Sequence, residues 1–145
     1  MNKVEAIRNI VIKKTEFLHE FGYSKKKEKS DIWNYTLSYI SENREFAIEF
    51  EIDYRDLDMF VLVAILDNGE LPGGYYMNKG KRVRIHLEKL FESGKITTGN
   101  WKAISKLRRE LKNTGETRIL SLLNAYCQLI KEVINEIQNL SVSEL

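Results

Sequence analysis

In the segment Glu45-Phe46-Ala47-Ile48-Glu49-Phe50-Glu51-Ile52-Asp53-Tyr54, large apolar residues stand at every second position, and this pattern is the clearest indication of the fold. Successive side chains of a β-strand lie on opposite faces of the sheet, so this alternation predicts a strand with one buried face. Carboxylates occupy most of the positions in between. The sequence therefore predicts a sheet with one apolar face and one face that carries negative charge.

Two more strands are predicted beside this one. Residues 32–39 alternate in the same way, with Trp33 on the apolar face, before a turn at Ser41-Glu42-Asn43. On the other side, residues 55–58 turn the chain and residues 59–66 are apolar without alternation, which indicates a strand covered on both faces. Because the connections are short, the three strands are predicted to form an antiparallel meander.

Helical periodicity flanks this meander. Apolar residues recur at three- and four-residue steps over residues 4–21 and over 119–140, and a shorter helix is predicted over 101–111. Gly22 is placed to end the first helix in a left-handed conformation. Residues 24–30, which are rich in lysine, are predicted to be a solvated connector. We expect the helices to cover the apolar face of the sheet.

One strong break interrupts the chain. Residues 67–74 contain the only proline and three of the eight glycines. We interpret them as a loop within a single domain spanning 1–145, because roughly seventy residues on either side would make two thin domains. A further hairpin is predicted around residues 78–81. The predicted fold is α+β, with an N-terminal helix, an antiparallel meander of three or more strands, and C-terminal helices covering one sheet face.

Composition argues for a cytoplasmic globular protein. Of the 145 residues, 43% are hydrophobic and 30% are charged, and the mean hydropathy is -0.38. No apolar run approaches the roughly 18 residues of a membrane-spanning helix, and the N-terminus does not resemble a signal peptide. The single cysteine, Cys127, cannot form an internal disulfide, and no cysteine or histidine pair has zinc spacing. We therefore predict no membrane partner, no metal and no cofactor.

Charge is distributed unevenly, although the net charge is only +2. Residues 31–70 hold 10 acidic and 2 basic residues, a net of -8, whereas residues 1–30 carry +4 and residues 71–145 carry +6. Segregated charge affects which partners a surface attracts. The candidate partner-binding residues are carboxylates of the acidic segment, which we expect to be exposed on its second strand and around it: Glu45, Glu49, Glu51, Asp53, Asp56 and Asp58.

Three interpretations of these carboxylates are open. They form a solvated outer face that hinders pairing of sheet edges, a docking surface for a basic protein, or a site for a hard metal ion in a metal-dependent hydrolase. Nuclease metal centres often place a lysine two residues after an acid on such a strand, but Asp53 holds that position after Glu51. The missing lysine weakens the hydrolase interpretation.

A nucleic-acid-binding regulator is the alternative from a different functional class. Its candidate contacts are basic residues in two clusters: Lys25, Lys26, Lys27 and Lys29, then Lys79, Lys81, Arg82 and Arg84. Tyr75 and Tyr76 could stack on bases beside the second cluster. The sequence pI near 8.6 nevertheless falls below the value of about 9 that marks a nucleic-acid-binding domain.

The sequence contains no catalytic motif. The patterns Gly-x-Ser-x-Gly, Gly-x-x-x-x-Gly-Lys and Gly-x-Gly-x-x-Gly are all absent, and neither His19 nor His86 stands in a motif that would orient it. Cys127 is expected to be a buried, inert thiol on the apolar flank of the last helix. We therefore predict a protein that is not an enzyme and has no catalytic residues.

The layout of the chain resembles that of small bacterial immunity proteins that accompany polymorphic toxins. The resemblance runs from the first helix through Phe21-Gly22-Tyr23-Ser24-Lys25-Lys26-Lys27 to an aromatic strand and then an acidic one, and it covers roughly residues 1–70. It implies a non-enzymatic protein that neutralises one toxin, often a basic nuclease, through a charged face. Our leading hypothesis is an immunity or antitoxin protein that binds a cationic toxin with its acidic sheet face.

Overall fold

The computed structural model describes residues 3–42, 45–142 and 145. Its first element is the helix α1 (Lys3–Thr15), which tightens into a 3-10 segment over Glu16–Phe21. This segment ends at Gly22, whose φ of 89° is left-handed. Glycine adopts that conformation without the steric cost that a side chain would add. The predicted helix end at Gly22 is therefore confirmed.

Within the described residues, seven strands follow in chain order: β1 (Lys25–Ser30), β2 (Asn34–Ile40), β3 (Phe46–Asp53), β4 (Asp58–Ile65), β5 (Met77–Asn78), β6 (Lys81–Arg82) and β7 (Arg84–His86). β1, β2, β3, β4 and β7 form one antiparallel sheet in that order, and β5 pairs with β6 in a small hairpin. The predicted meander and the predicted hairpin are both confirmed. The predicted turn at residues 41–43 includes Asn43, which lies outside the described residues.

The prediction of a solvated connector at residues 24–30 is wrong, because this segment contains β1. β1 pairs with β2 from Lys25 opposite Ile40 to Ser30 opposite Tyr35. Side chains of a strand point to the two faces of the sheet, and neither face of β1 is covered, so its sequence needs no apolar alternation. All residues of β1 are indeed exposed. Backbone pairing with β2, rather than side-chain burial, positions this strand.

Three helices follow the sheet: α2 (Leu87–Glu92), α3 (Lys102–Glu110) and α4 (Glu116–Gln138). α4 is the predicted long C-terminal helix, and it buries a continuous stripe that includes Ile119, Leu123, Tyr126, Ile130, Val133 and Ile137. This stripe shares one core with apolar residues of the sheet: Tyr35, Leu37, Phe46, Ile48 and Phe50. The fold is α+β, as predicted, with the C-terminal helices on the apolar face of the sheet.

Trp33 is an exception to the predicted core, because its exposed fraction is 51%. The carboxylate of Asp31 accepts hydrogen bonds from the amides of Trp33 and Asn34, at 2.8 and 2.9 Å. Such a bond from an aspartate to the backbone two or three residues later stabilises a turn. Trp33 therefore belongs to the turn that precedes β2 and not to the strand itself.

Candidate functional site

The second face of the sheet is covered by the connection between β4 and β7. The strand register aligns one row of side chains across this face: Lys27, Ser38, Glu49, Leu62 and His86. Residues 66–83, which we call the cap, run back over the face and carry the β5–β6 hairpin. Leu66 and Leu71 of the cap pack on a small apolar cluster at one end of it. β4 is therefore covered on both faces, as its continuous apolar sequence predicted.

A buried ion pair between two strands of the sheet also anchors the cap. Glu49 of β3 is only 3% exposed, and its Oε1 lies 2.6 Å from Nε of Arg84 on β7. The other carboxylate oxygen accepts a hydrogen bond of 2.7 Å from the hydroxyl of Ser38. Nη1 of Arg84 donates to the cap carbonyls of Gly74 and Tyr75, at 2.9 and 3.2 Å. Arg84 therefore neutralises Glu49 and holds the cap against the sheet.

The expectation that Glu49 is exposed is wrong. The alternation of β3 correctly places Glu49 on the second face of the sheet, but the cap removes that face from water at this position. A carboxylate can be buried in its charged form only with a cation and further hydrogen bonds, and Arg84 and Ser38 supply them. Reversing the charge of Glu49 would place two cations together in the interior and would not leave the fold intact.

Two adjacent tyrosines of the cap are held by their hydroxyl groups. The Tyr75 hydroxyl donates to Glu51 at 2.7 Å, and the Tyr76 hydroxyl lies 2.6 Å from Nε2 of His86. Burial and then the bond to Glu51 raise the pKa of the Tyr75 phenol above its usual range, so the phenol stays protonated and donates. The two rings meet edge to face with their centroids 4.4 Å apart.

The same tyrosines expose much of their surface. Tyr75, Tyr76 and Met77 have exposed fractions of 41%, 44% and 53%. We call these three consecutive residues the aromatic cluster. Large apolar residues that are exposed together commonly mark a surface that contacts a partner. The cluster lies outside the acidic set that the sequence pointed to, and only the tyrosine pair after two glycines gave a signal in the sequence.

The structure does not bring the six candidate carboxylates together on one surface. Asp53 accepts hydrogen bonds from the amides of the turn that follows β3, and Asp58 pairs with Arg108 and, at 3.3 Å, with Arg118. Glu45 and Asp56 are exposed, but they flank opposite ends of β3. A strand of this length spans about 26 Å. The predicted acidic face is therefore divided among internal ion pairs, a turn and two separate positions.

The basic candidates are also divided by the fold. Lys25 and Lys27 of β1 both approach Glu70 of the cap, at 3.9 and 3.3 Å, and Lys26 and Lys29 are exposed on the same strand. The hairpin residues of the cap are exposed as well: Lys79, Lys81 and Arg82. Arg84 is committed to Glu49. The exposed cations of the second cluster therefore lie within six residues of the aromatic cluster along the cap.

A small cleft lies between the middle of the cap and the β1–β2 turn. It has a volume of about 270 Å³, and its lining includes Lys29, Asp31, Thr36, Glu51 and Tyr75. The amides of Trp33 and Asn34 lower the pKa of Asp31, so this carboxylate is charged near neutral pH. The cleft is polar and carries both signs of charge, and it connects the lysine row of β1 to the aromatic cluster.

Comparison with known proteins identifies no relative of this chain. No family model, no curated protein and no solved structure matches this chain. Within residues 3–42, 45–142 and 145, no three histidine, cysteine or acidic side chains converge as possible ligands of a metal ion. Within the same residues, no helix combines the length and the apolar content needed to cross a membrane.

Cys127 of α4 is expected to be unreactive in the folded protein. The thiol is buried and lies 3.7 Å from the carbonyl oxygen of Lys14, and burial raises its pKa to about 11. A rise of two pKa units lowers the thiolate fraction at pH 8 by about 100-fold, and the thiolate is the reactive form. A disulfide reagent should label the protein only as fast as it unfolds. Immediate stoichiometric labelling of native protein would contradict this expectation.

Proposed function

We propose that the chain is a non-enzymatic binding protein, of the immunity or antitoxin type that its layout resembles, and that a protein partner docks on the aromatic cluster. The observation that carries this proposal is the exposure of Tyr75, Tyr76 and Met77 side by side on the cap. Tyrosine and methionine are enriched in protein interfaces relative to other surfaces. The presence of a single buried cysteine accords with a place of action in the reducing cytoplasm.

The tyrosine side chains of the aromatic cluster are already held in place before a partner binds, and this supports the same proposal. Immobilising a flexible side chain in an interface costs about 0.5–1.5 kcal/mol. Glu51 and His86 already fix the hydroxyl ends of Tyr75 and Tyr76, while the rings stay partly exposed. A partner that covers the rings therefore loses less free energy to ordering than it would on a mobile loop.

The charges around the cluster favour a partner surface that is acidic or neutral. Lys79, Lys81 and Arg82 are the exposed charged residues that follow the cluster along the cap. Four of the carboxylates that would have attracted a cationic toxin are instead bonded within the fold: Glu49, Glu51, Asp53 and Asp58. The other two, Glu45 and Asp56, stand at opposite ends of β3. We therefore place the contact on the cap and propose the opposite partner charge from the one that the sequence suggested.

Single-stranded nucleic acid is a second candidate partner, favoured by the same juxtaposition of tyrosines and cations. Stacking of a base on an aromatic side chain contributes about 1–3 kcal/mol, and lysine and arginine beside it would meet phosphates. An RNA oligonucleotide should then bind with an affinity that falls with salt. The triple variant Lys79→Gln/Lys81→Gln/Arg82→Gln should reduce that salt dependence. The affinity for a protein partner held mainly by the rings should depend less on salt.

Replacing the tyrosine pair is the direct test of the proposed surface. An immunity protein is expected to be encoded beside the toxin that it neutralises, so the test partner is the protein encoded by the adjacent gene. We expect Tyr75→Ala/Tyr76→Ala to weaken binding to that protein by at least about 30-fold, or ~2 kcal/mol, as for central interface residues. Isothermal titration calorimetry measures this loss. Tyr75→Phe/Tyr76→Phe keeps the rings and removes only the hydrogen bonds of the hydroxyl groups, so it should lose less affinity.

The matched control is Ile32→Ala/Trp33→Ala, which removes exposed apolar side chains from the β1–β2 turn. We expect this variant to bind within about threefold of the wild type, because the proposed contact lies on the cap and not on this turn. Thermal melts of all variants verify that they are folded. The proposal fails if the control loses affinity while the tyrosine variant binds normally.

A further inference from the structure

β1 is the outermost strand of the sheet, and its outer edge is open. The sheet begins with β1, no other strand in the described residues pairs with its outer side, and all of its residues are exposed. An antiparallel edge strand leaves the backbone amides and carbonyls of alternate residues without a strand partner. Such a row of groups can pair with an additional strand from another chain.

The register identifies which backbone groups face outward. Ser41 donates its amide to the carbonyl of Phe46, and Tyr54 donates to Trp33, so the odd-numbered positions of β2 bond to β3. The even-numbered positions therefore bond to β1, and the Asp31 amide follows this pattern by donating to Asn34. The residues of β1 that bond to these even-numbered positions of β2 are Lys25, Lys27 and Lys29. The outward-facing amides and carbonyls then belong to the alternate residues: Lys26, Glu28 and Ser30.

The side chains along this edge favour acidic neighbours. Lys25, Lys27 and Lys29 share the face that carries the cap, and the carboxylate of Glu70 already lies 3.3 Å from Lys27 and 3.9 Å from Lys25. On the opposite face, the charge of Glu28 is neutralised by Arg8 of α1, which binds it through two nitrogens at 2.8 to 3.1 Å. The edge therefore combines backbone groups that have no strand partner with a row of lysines that can form ion pairs with carboxylates.

We propose that the outer edge of β1 binds an extended acidic segment of another protein, which adds a sixth strand to the sheet. Carboxylates at alternate positions of that segment would lie beside the lysine row. A second copy of this chain is disfavoured, because antiparallel pairing of β1 with itself would set lysine against lysine. Lysines on an edge strand hinder such self-association, and here the same charges select the sign of an incoming strand. This edge adjoins the cleft that leads to the aromatic cluster, but it includes none of the cluster's residues.

Residue-resolved hydrogen exchange tests the proposal with a defined probe. The probe is an acetylated, amidated octapeptide with glutamate at alternate positions and threonine between them, and the control peptide has lysine in place of glutamate. We expect the acidic peptide to slow exchange at the amides of Lys26, Glu28 and Ser30. The amides of β1 that already bond to β2 should change little. The lysine peptide should produce no such protection.

A proline substitution separates strand addition from attraction between charges. Lys26→Pro removes one outward amide and no bond to β2, and proline is tolerated on an edge strand when the missing N–H faces solvent. This substitution should weaken binding of the acidic peptide by at least about 10-fold, because it deletes a hydrogen bond and obstructs the edge. The matched variant Lys26→Ala keeps the amide and should bind within about threefold of the wild type.

Several outcomes would overturn this inference. They are absence of binding by the acidic peptide, binding without protection of the three outward amides, equal binding of the lysine peptide, and equal loss in Lys26→Ala and Lys26→Pro. The exchange experiment uses the wild-type protein, so it decides the question even if Lys26→Pro is poorly folded. Tyr75→Ala/Tyr76→Ala should retain peptide binding, which distinguishes a failure of this inference from a failure of the cap as a partner surface.

Discussion

Arg84→Met is expected to destabilise the folded protein by about 3 to 5 kcal/mol, as is usual when one member of a buried ion pair is removed. The variant leaves the carboxylate of Glu49 in the interior without its cation. It also removes the donors that hold the carbonyls of Gly74 and Tyr75. The free energy of unfolding, measured by urea denaturation near pH 7, gives the loss directly.

Two controls identify the cause of that loss. Arg82→Met removes an exposed arginine two positions earlier and should change the free energy of unfolding by less than about 0.5 kcal/mol. Glu49→Gln/Arg84→Met leaves no buried charge and should be more stable than Arg84→Met alone. If Arg84→Met costs under about 1 kcal/mol, or if the double variant is the less stable of the two, the ion pair does not hold the cap.

Ile130→Ala should produce a loss of similar size by a different mechanism. Ile130 is fully buried in α4, within the core that joins this helix to the sheet. Truncating a buried isoleucine removes apolar contacts and leaves a cavity, which together cost about 2 to 5 kcal/mol. Denaturation by urea measures this effect as well.

The control for the helix is Asn124→Ala, an exposed position on the same element. Its free energy of unfolding should stay within about 0.5 kcal/mol of the wild type. If Ile130→Ala also falls within that range, α4 is peripheral to the core, and the description of the fold as helices packed on one sheet face is wrong.

Periodicity predicted the elements that bury one face. The alternation from Phe46 to Ile52 identified β3, and the spacing from Ile119 to Ile137 identified α4, because each pattern is produced by contact with a common core. β1 has no such pattern, since both of its faces are exposed and only its backbone is paired. Trp33 continued the alternation of β2 by one position but lies in the Asp31 turn. Edge strands and turn positions are therefore where periodicity failed.

The candidate site was predicted only in part, because it depends on contacts between distant segments. Alternation correctly assigned Glu49 to the second face of the sheet, yet its exposure is decided by Arg84, 35 residues later. No local pattern specifies that the cap folds back over this face. The tyrosine pair was recognisable as aromatic in the sequence, whereas its anchoring by Glu51 and His86 depends on the register of β3 and β7.

We expect a partner to be recognised by the cap and not by the carboxylates of β3 and of the turn that follows it. Photo-crosslinking tests it most directly, with benzoylphenylalanine introduced at position 76 in one sample and at position 56 in another, each mixed with the protein encoded by the adjacent gene. Tyr76 and Asp56 are both exposed, so either position can report a nearby partner. We predict an efficient cross-link from position 76 and none from position 56. A cross-link from position 56 alone would contradict this expectation and identify those carboxylates as the recognition surface.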